Sequence, residues 1–180
     1  MTDHPISRRR FIQASTAVAA VAAGGCATTF QPVTSFSADE RKLVEAIADQ
    51  IVPPDQDPGG RDTSVAEFLD VQLRGPYARH AAAYHDGLAR LEQTCQRLHH
   101  RSFTAMSFDE QTAVLTALER GQVPDGIWPP GDAAEFFNLV CDHCMQGFYG
   151  SPRHGGNRNG ASWKMLGLDY PQVAGRVVIS

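Results

Sequence analysis

Several patterns that would identify an enzyme are missing from this sequence. It has no G-x-G-x-x-G run, which excludes the phosphate-binding turn of a Rossmann-type NAD or FAD site. It has no G-x-x-x-x-G-K-[ST] loop, which excludes a P-loop nucleotide site. It also has no G-x-S-x-G elbow, which excludes the nucleophile of an α/β-hydrolase. We therefore predict no catalytic residues and no cofactor bound by this chain itself.

Positive charge, long apolar runs and strand patterns are scarce as well. The chain of 180 residues has a formal net charge of −4 and no stripe of Lys or Arg, which argues against a nucleic-acid partner. Its apolar stretch from Ala17 to Ala23 is shorter than the roughly 20 residues that a membrane-spanning helix needs. Strand-like character is confined to Val177–Ile179. These absences leave a helical protein as the expectation.

The first 26 residues have the form of an export signal. The run SRRRFIQ from Ser7 has the twin-arginine pattern, with Arg8 and Arg9, one spacer and then Phe11. A basic start, a moderate apolar run and small residues at the exit are typical of a cleavable signal. We expect the twin-arginine translocase to recognise Arg8, Arg9 and Phe11 and to move the folded protein to the periplasm. The alternative is an amphipathic or buried N-terminal helix that happens to carry three arginines.

The end of this signal is open to more than one interpretation. Ala23-Gly24-Gly25-Cys26 resembles a lipobox, in which Cys26 would be acylated and would anchor the protein to a membrane. Ala23 weakens that interpretation, because a larger aliphatic residue is usual there. Gly25-Cys26-Ala27 also fits ordinary cleavage after Ala27. Retention as an uncleaved anchor is a third alternative.

The rest of the chain has the spacing of helices. Capping-box patterns begin at Ser37, Ser64 and Ser107, each with Glu three residues later, and apolar residues follow at helical intervals. The predicted helices run from Ser37 to Ile51, from Ser64 to about Gly75, over about 77–100, from Ser107 to Gly121, and from about Asp132 to Phe148. The third should bury Tyr84, Leu88, Leu91, Cys95 and Leu98.

The predicted fold class is therefore all-α. We expect a small irregular helical bundle preceded by an N-terminal signal helix. The signal would cover 1–26, a short linker 27–36 and the helical domain 37–180.

The segment Gly147–Gly167 is the least ordinary part of the chain. Gly155-Gly156-Asn157 predicts a sharp loop whose residues tolerate positive φ. Basic groups and an aromatic ring surround it, as expected of a surface that docks a partner or contacts an anion. The predicted partner interface consists of Arg153, His154, Asn157, Arg158 and Trp163. The alternative is a loop packed under its own aromatic side chains.

With these motifs in place, the sequence resembles the gluconate 2-dehydrogenase subunit 3 family. The resemblance rests on 36–40, 51–55, 65–70, 103–111 and, most specifically, 147–167. The chain departs from the family's pattern at His154, where Tyr usually precedes the two glycines, and at Cys144, where Thr is frequent.

The resemblance implies a helical small subunit without a redox centre of its own. Its partner would be a large FAD-dependent flavoprotein of the glucose-methanol-choline (GMC) type, and a multihaem cytochrome c subunit often carries the electrons onward. Such large subunits commonly lack an export signal. The small subunit would then act as chaperone, export escort and structural clasp, which agrees with the twin-arginine pattern.

The cysteines leave further alternatives open. Cys141 and Cys144 form a C-x-x-C pair, but Met145 follows where a haem c site needs His. With Cys95 they are three cysteines beyond Cys26, enough for one disulfide and a spare thiol, or for a bridge to a partner. No metal site is predicted, because a structural zinc site needs four ligands. The competing hypothesis is a self-contained periplasmic lipoprotein that binds a metal or small ligand through Cys141, Cys144 and His154; an enzyme acting alone is weaker still.

Overall fold

A computed structural model describes residues 34–168, and this part of the chain consists of α-helices, 3-10 turns and loops, with no strand. The helices are α1 (Ala38–Ile51), α2 (Val65–Leu73), α3 (Ala81–His99), α4 (Phe108–Glu119), α5 (Asp132–Tyr149) and α6 (Ala161–Met165). The 3-10 turns are Ala78–His80, Phe103–Ala105, Pro152–His154 and Arg158–Gly160. The all-α prediction is confirmed for these residues, whereas the predicted signal helix, Cys26 and Val177–Ile179 lie outside them.

Helix α5 is the centre of the bundle. It packs against α2 on one side and α4 on the other, and α1 packs against α2. Large side chains from every long helix are fully buried between them, among them Ile47, Leu69, Leu91, Leu118 and Phe148. Within residues 34–168, no helix is both long enough and apolar enough to cross a membrane.

Two of the three predicted capping boxes are present. The Ser37 backbone N–H donates to Glu40 Oε2 at 2.8 Å, and the Glu40 N–H donates to Ser37 Oγ at 3.3 Å. Ser107 and Glu110 make the same reciprocal pair at the start of α4. These caps satisfy backbone donors that the first helical turn leaves unpaired.

The capping box predicted at Ser64 is wrong. Ser64 has φ 63°, in the left-handed region, and makes no side-chain cap, because an N-cap side chain reaches the first turn from extended backbone. The loop before α2 sets this conformation: the Val65 N–H donates to the Gly60 carbonyl at 3.0 Å. A Cβ on Gly60 would lie 2.4 Å from the Ala48 carbonyl oxygen, so the loop is wedged against α1.

Two further boundaries differ from the predictions. Helix α3 starts at Ala81, after the Ala78–His80 turn, and Leu98 in its last turn is 51% exposed, so the buried stripe stops at Cys95. Phe36, which we assigned to the linker, lies in the core. The backbone N–H groups of Ser35 and Phe36 donate to Asp70 Oδ1 at 2.7 and 3.1 Å, which ties the start of the helical body to α2.

Candidate functional site

The segment that follows α5 folds back onto α2 and α5 through close backbone contacts. A Cβ on Gly156 would lie 2.2 Å from the carbonyl oxygen of Gly147, and a Cβ on Gly147 would lie 2.8 Å from the ring of Phe68. Gly155 has φ 100°, which L-residues rarely adopt. The glycines at these positions therefore allow residues 150–160, the 150–160 loop, to lie directly on the two helices.

Asn157 holds this loop from the inside. It is fully buried at φ 44°, its Nδ2 donates to the Gly150 carbonyl, and its Oδ1 accepts from the Ser162 N–H, both at 2.9 Å. The side chain joins both ends of the loop to α6. The structure thus places Asn157 under the predicted interface, where it shapes the loop and presents no surface to a partner.

The three basic residues of the loop lie on the outside. The Arg158 N–H donates to the Thr63 carbonyl at 3.1 Å, and the exposed guanidinium lies 3.7 Å from Glu67 Oε2. Arg153 and His154 are also exposed, and Arg153 Nε donates to His154 Nε2 at 3.1 Å. The loop therefore presents basic groups on a backbone that is fixed from below.

Trp163 is neither fully buried, as Asn157 is, nor exposed, as the three basic residues are. It is half-buried, and its indole N–H donates to the Tyr149 carbonyl at 2.9 Å. This bond ties α6 to the last turn of α5. Of the predicted interface residues, the structure brings Arg153, His154, Arg158 and part of Trp163 to one surface.

A groove beside this surface was not predicted from the sequence. It lies between α2 and α5 and has a volume of about 660 Å³. We call it the α2–α5 groove; its apolar lining is Phe68, Pro76, Tyr77, Met145 and Tyr149, and Gln146 and His154 add polar groups. The signal was present in α5: Met145 and Tyr149 are four residues apart and lie beside the buried stripe of Val140, Cys144 and Phe148.

A buried histidine supports one side of this groove. The ring of His143 stacks on Tyr77 at 4.3 Å, and its Nδ1 lies 3.1 Å from the Tyr84 hydroxyl. The rings of His80 and His143 meet edge to face, with their centroids 5.3 Å apart. Burial, followed by repulsion from His80, lowers the pKa of His143 below its usual value of 6.5. The sequence analysis had considered His143 only as a spacer within the C-x-x-C pair.

Cys95 and Cys144 are core residues, and Cys141 is half-buried. Cys95, Cys141 and Cys144 are free thiols in the structure, so the disulfide considered from the sequence is not formed there. Burial raises the pKa of Cys95 to about 12 and of Cys141 to about 11, and it raises the pKa of Cys144 as well. Thiols with such raised pKa values stay protonated at neutral pH and are weak nucleophiles.

The structure does not bring Cys141, Cys144 and His154 together. Nowhere in residues 34–168 do three or more His, Cys, Asp or Glu side chains form a group that could hold a metal ion. Cys141 lines a small cavity towards α4, whereas His154 lies at the α2–α5 groove. The competing metal hypothesis has no support from this geometry.

Comparison with known proteins gives a family match. A model of the family described as gluconate 2-dehydrogenase subunit 3 matches residues 38–169. No curated protein and no solved structure matches the sequence. The matched range begins with α1 and includes all six helices.

Proposed function

The chain belongs to the gluconate 2-dehydrogenase subunit 3 family, and we propose that it is the non-catalytic small subunit of an exported, FAD-dependent sugar or sugar-acid dehydrogenase complex. Its main partner is a GMC-type flavoprotein that binds the FAD, and a multihaem cytochrome c subunit accepts the electrons. The observation that carries this proposal is the family match across the whole helical body.

The surface of the 150–160 loop supports a role as structural clasp. Gly156 and Asn157 fix its backbone by close packing and internal hydrogen bonds, while Arg153, His154 and Arg158 face outward. A loop that is already ordered loses little conformational entropy when a partner binds. We assign the flavoprotein contact to this loop and to Trp163.

The N-terminal pattern supports a role in export. In this proposal Arg8, Arg9 and Phe11 engage the twin-arginine translocase, and the folded flavoprotein crosses the membrane bound to this chain. The complex then acts in the periplasm, and acylation of Cys26 would hold it at the membrane.

Export of the flavoprotein by this signal is tested with an Arg8→Lys, Arg9→Lys variant in the native host. We expect the flavoprotein and its dehydrogenase activity to stay in the cytoplasm with this variant, because the translocase no longer binds the signal. The matched control is Arg97→Lys, Arg120→Lys, which makes the same chemical change at exposed helical positions. Equal amounts of periplasmic flavoprotein with both variants would contradict the escort role.

A further inference from the structure

The floor of the α2–α5 groove presents apolar side chains to solvent. Met145 and Tyr149 are neighbours on one face of α5 and are 41% and 40% exposed. Across the groove lie Phe68 and Pro76 of the α2 side. Its volume of about 660 Å³ exceeds that of any single side chain, so the groove has room for a segment of chain. Exposed Met and Tyr side by side are typical of the centre of a protein interface.

Two turns next to groove-lining residues carry the same basic arrangement, and we call them the rim. The Ala78–His80 turn directly follows Tyr77, and the Pro152–His154 turn includes His154. In each, the arginine Nε donates to the Nε2 of the histidine that follows it, at 3.0 Å for Arg79 and 3.1 Å for Arg153. This hydrogen bond uses one of the guanidinium's five N–H donors, so each arginine keeps its charge and most of its donors.

Neither arginine is neutralised by a carboxylate within residues 34–168. Arg79 and Arg153 make no ion pair with any carboxylate of residues 34–168. The nearby Glu67 is engaged by Arg158 at 3.7 Å. The exposed carboxylates of α5 include Asp142, one turn before Met145, and Glu135, two turns before Asp142. The rim therefore offers two guanidinium groups that no ion pair within residues 34–168 occupies, and their fork geometry suits carboxylates.

The groove is also held in shape before anything binds. The Tyr77 hydroxyl donates to Gln146 Oε1, and its ring stacks on His143 at 4.3 Å and meets the edge of Phe68 at 6.1 Å. These contacts join the turn after α2 to α5 across the groove. A preformed site of this kind favours tight docking of a complementary segment.

We propose that the α2–α5 groove is the docking site for one segment of the flavoprotein, in which an apolar side chain is flanked by carboxylates. The apolar side chain would lie on Met145 and Tyr149, and the carboxylates would reach Arg79 and Arg153. The inference rests on the proposed function, and it extends the 150–160 loop, because Gly150 and His154 belong to both surfaces. A second copy of this chain, with net charge −4, its own residues 169–180 and an anionic membrane are the competing occupants.

The occupant is identified by photo-crosslinking in the native complex. The photoreactive residue p-benzoylphenylalanine replaces Met145 in one full-length tagged chain and Leu98, which is 51% exposed on α3, in a matched control. Each is produced together with the flavoprotein, irradiated and purified, and the crosslinked peptides are sequenced by mass spectrometry. We expect position 145 to join a single flavoprotein segment with carboxylates beside an apolar residue, and position 98 to give at least about tenfold less of that product.

A charge reversal tests the rim independently. Arg79→Glu, Arg153→Glu should lower the amount of co-purified flavoprotein by about tenfold or more, because interface arginines are frequent hot spots. Arg79→Lys, Arg153→Lys should retain more of it, since the charge remains. The control Arg97→Glu, Arg120→Glu changes the net charge equally at exposed positions away from the groove and should bind as the wild type does.

The outcomes separate this inference from the proposed function. If the wild type holds the flavoprotein while position 145 crosslinks to lipid, to a second copy or to its own chain, the groove assignment is overturned and the subunit assignment stands. If Arg79→Glu, Arg153→Glu and the control Arg97→Glu, Arg120→Glu co-purify with equal amounts of flavoprotein, the groove assignment is likewise overturned and the subunit assignment stands. If the wild-type chain holds no flavoprotein at all, the proposed function fails, and the inference fails with it.

Discussion

Asp70 shows what a single buried charge does in this protein. It is 4% exposed, accepts N–H groups from Ser35 and Phe36, and lies 3.1 Å from the Arg74 guanidinium. A buried carboxylate of this kind is tolerated only where partners replace water. Here the partners belong to the start of the helical body, so Asp70 fixes Ser35 and Phe36 against α2.

Removal of this carboxylate should destabilise the fold. Asp70→Ala leaves two buried backbone donors and Arg74 without their acceptor, which should lower the free energy of unfolding by about 2 kcal/mol. Asp70→Asn keeps one acceptor and should cost less. The control Asp39→Ala, whose side chain contacts only the exposed Lys42, should stay within about 0.5 kcal/mol. Urea unfolding measures all three, and an equal loss at both positions would contradict this role.

Substitution of Gly156 tests the close packing of the 150–160 loop on α5. Gly156→Ala places a Cβ 2.2 Å from the Gly147 backbone carbonyl, which cannot move aside as a side chain would. We expect a loss of about 2 kcal/mol or more in the free energy of unfolding. At Gly75 the nearest atom to a new Cβ is 3.8 Å away, so Gly75→Ala should stay within about 0.5 kcal/mol of wild type. Thermal unfolding of both variants checks the contrast, and a stable Gly156→Ala protein would refute it.

At the scale of elements, different faces of α5 pack into the core, line the α2–α5 groove and carry the buried His143. Val140, Cys144 and Phe148 form its core stripe, and Met145 and Tyr149 face the α2–α5 groove. Between these faces lies His143, whose ring stacks on Tyr77 and whose Nδ1 lies 3.1 Å from the Tyr84 hydroxyl. One helix therefore couples the packing of the core to the shape of the candidate interface.

This placement of His143 predicts a pH-dependent stability. Its pKa in the folded protein is lowered below 6.5, so the unfolded chain takes up the proton first as the pH falls. The stability that depends on neutral His143 is complete above pH 6.5 and is lost as the pH falls towards the folded-state pKa. Unfolding measured between about pH 7.5 and 5.5 should show this loss in the wild type and a flatter profile in His143→Gln.

A matched control makes this pH test specific. His100→Gln removes an exposed histidine at the end of α3 and should keep the wild-type slope. Glu40 behaves in the opposite sense: its burial raises its pKa, but hydrogen bonds from His85 and Ser37 outweigh that effect and hold the pKa below its usual value. Identical slopes for wild type and His143→Gln would contradict the assignment.

The elements also show what the sequence could and could not predict. The caps at Ser37 and Ser107 depend on residues three apart, so the local pattern was sufficient. At Ser64 the same pattern failed, because Gly60 packs on Ala48 and imposes a left-handed backbone that no local rule contains.

The candidate site also combines features that the local sequence predicts with features that it does not predict. Two glycines followed by an asparagine predicted a sharp loop at Gly155–Asn157. The structure has positive φ at Gly155 and Asn157. That Asn157 would be buried, and that Met145 and Tyr149 would line a groove, depended on which neighbours cover α5. That information is tertiary, and the chain's periodicity does not contain it.

At the scale of the whole molecule, the helical body presents one composite surface. The 150–160 loop and the α2–α5 groove share Gly150 and His154. Arg153 and Arg158 belong to this loop, and Arg79 comes two residues after the groove-lining Tyr77. A chain whose formal net charge is −4 thus concentrates basic groups where we place its partner. Complementary charges of this kind set partner choice and association rate more than final affinity.

Association at this surface should therefore depend on salt. We expect the rate at which the purified subunits recombine to fall as ionic strength rises, because the Debye length shortens from about 10 Å at 0.1 M salt to about 3 Å at 1 M. Arg79→Glu, Arg153→Glu should recombine slowly at low salt and show a much weaker salt dependence. Surface-immobilised binding measurements give both rates, and a wild-type rate independent of salt would contradict an electrostatic rim.

The most direct test of the central claim is to purify this chain from its native host through a C-terminal tag and record the absorbance spectrum of the eluate. If it is the small subunit of a flavoprotein dehydrogenase, a large subunit with a flavin spectrum will elute with it and will oxidise a sugar or sugar acid. A colourless protein that elutes alone from both periplasmic and membrane fractions would contradict the assignment.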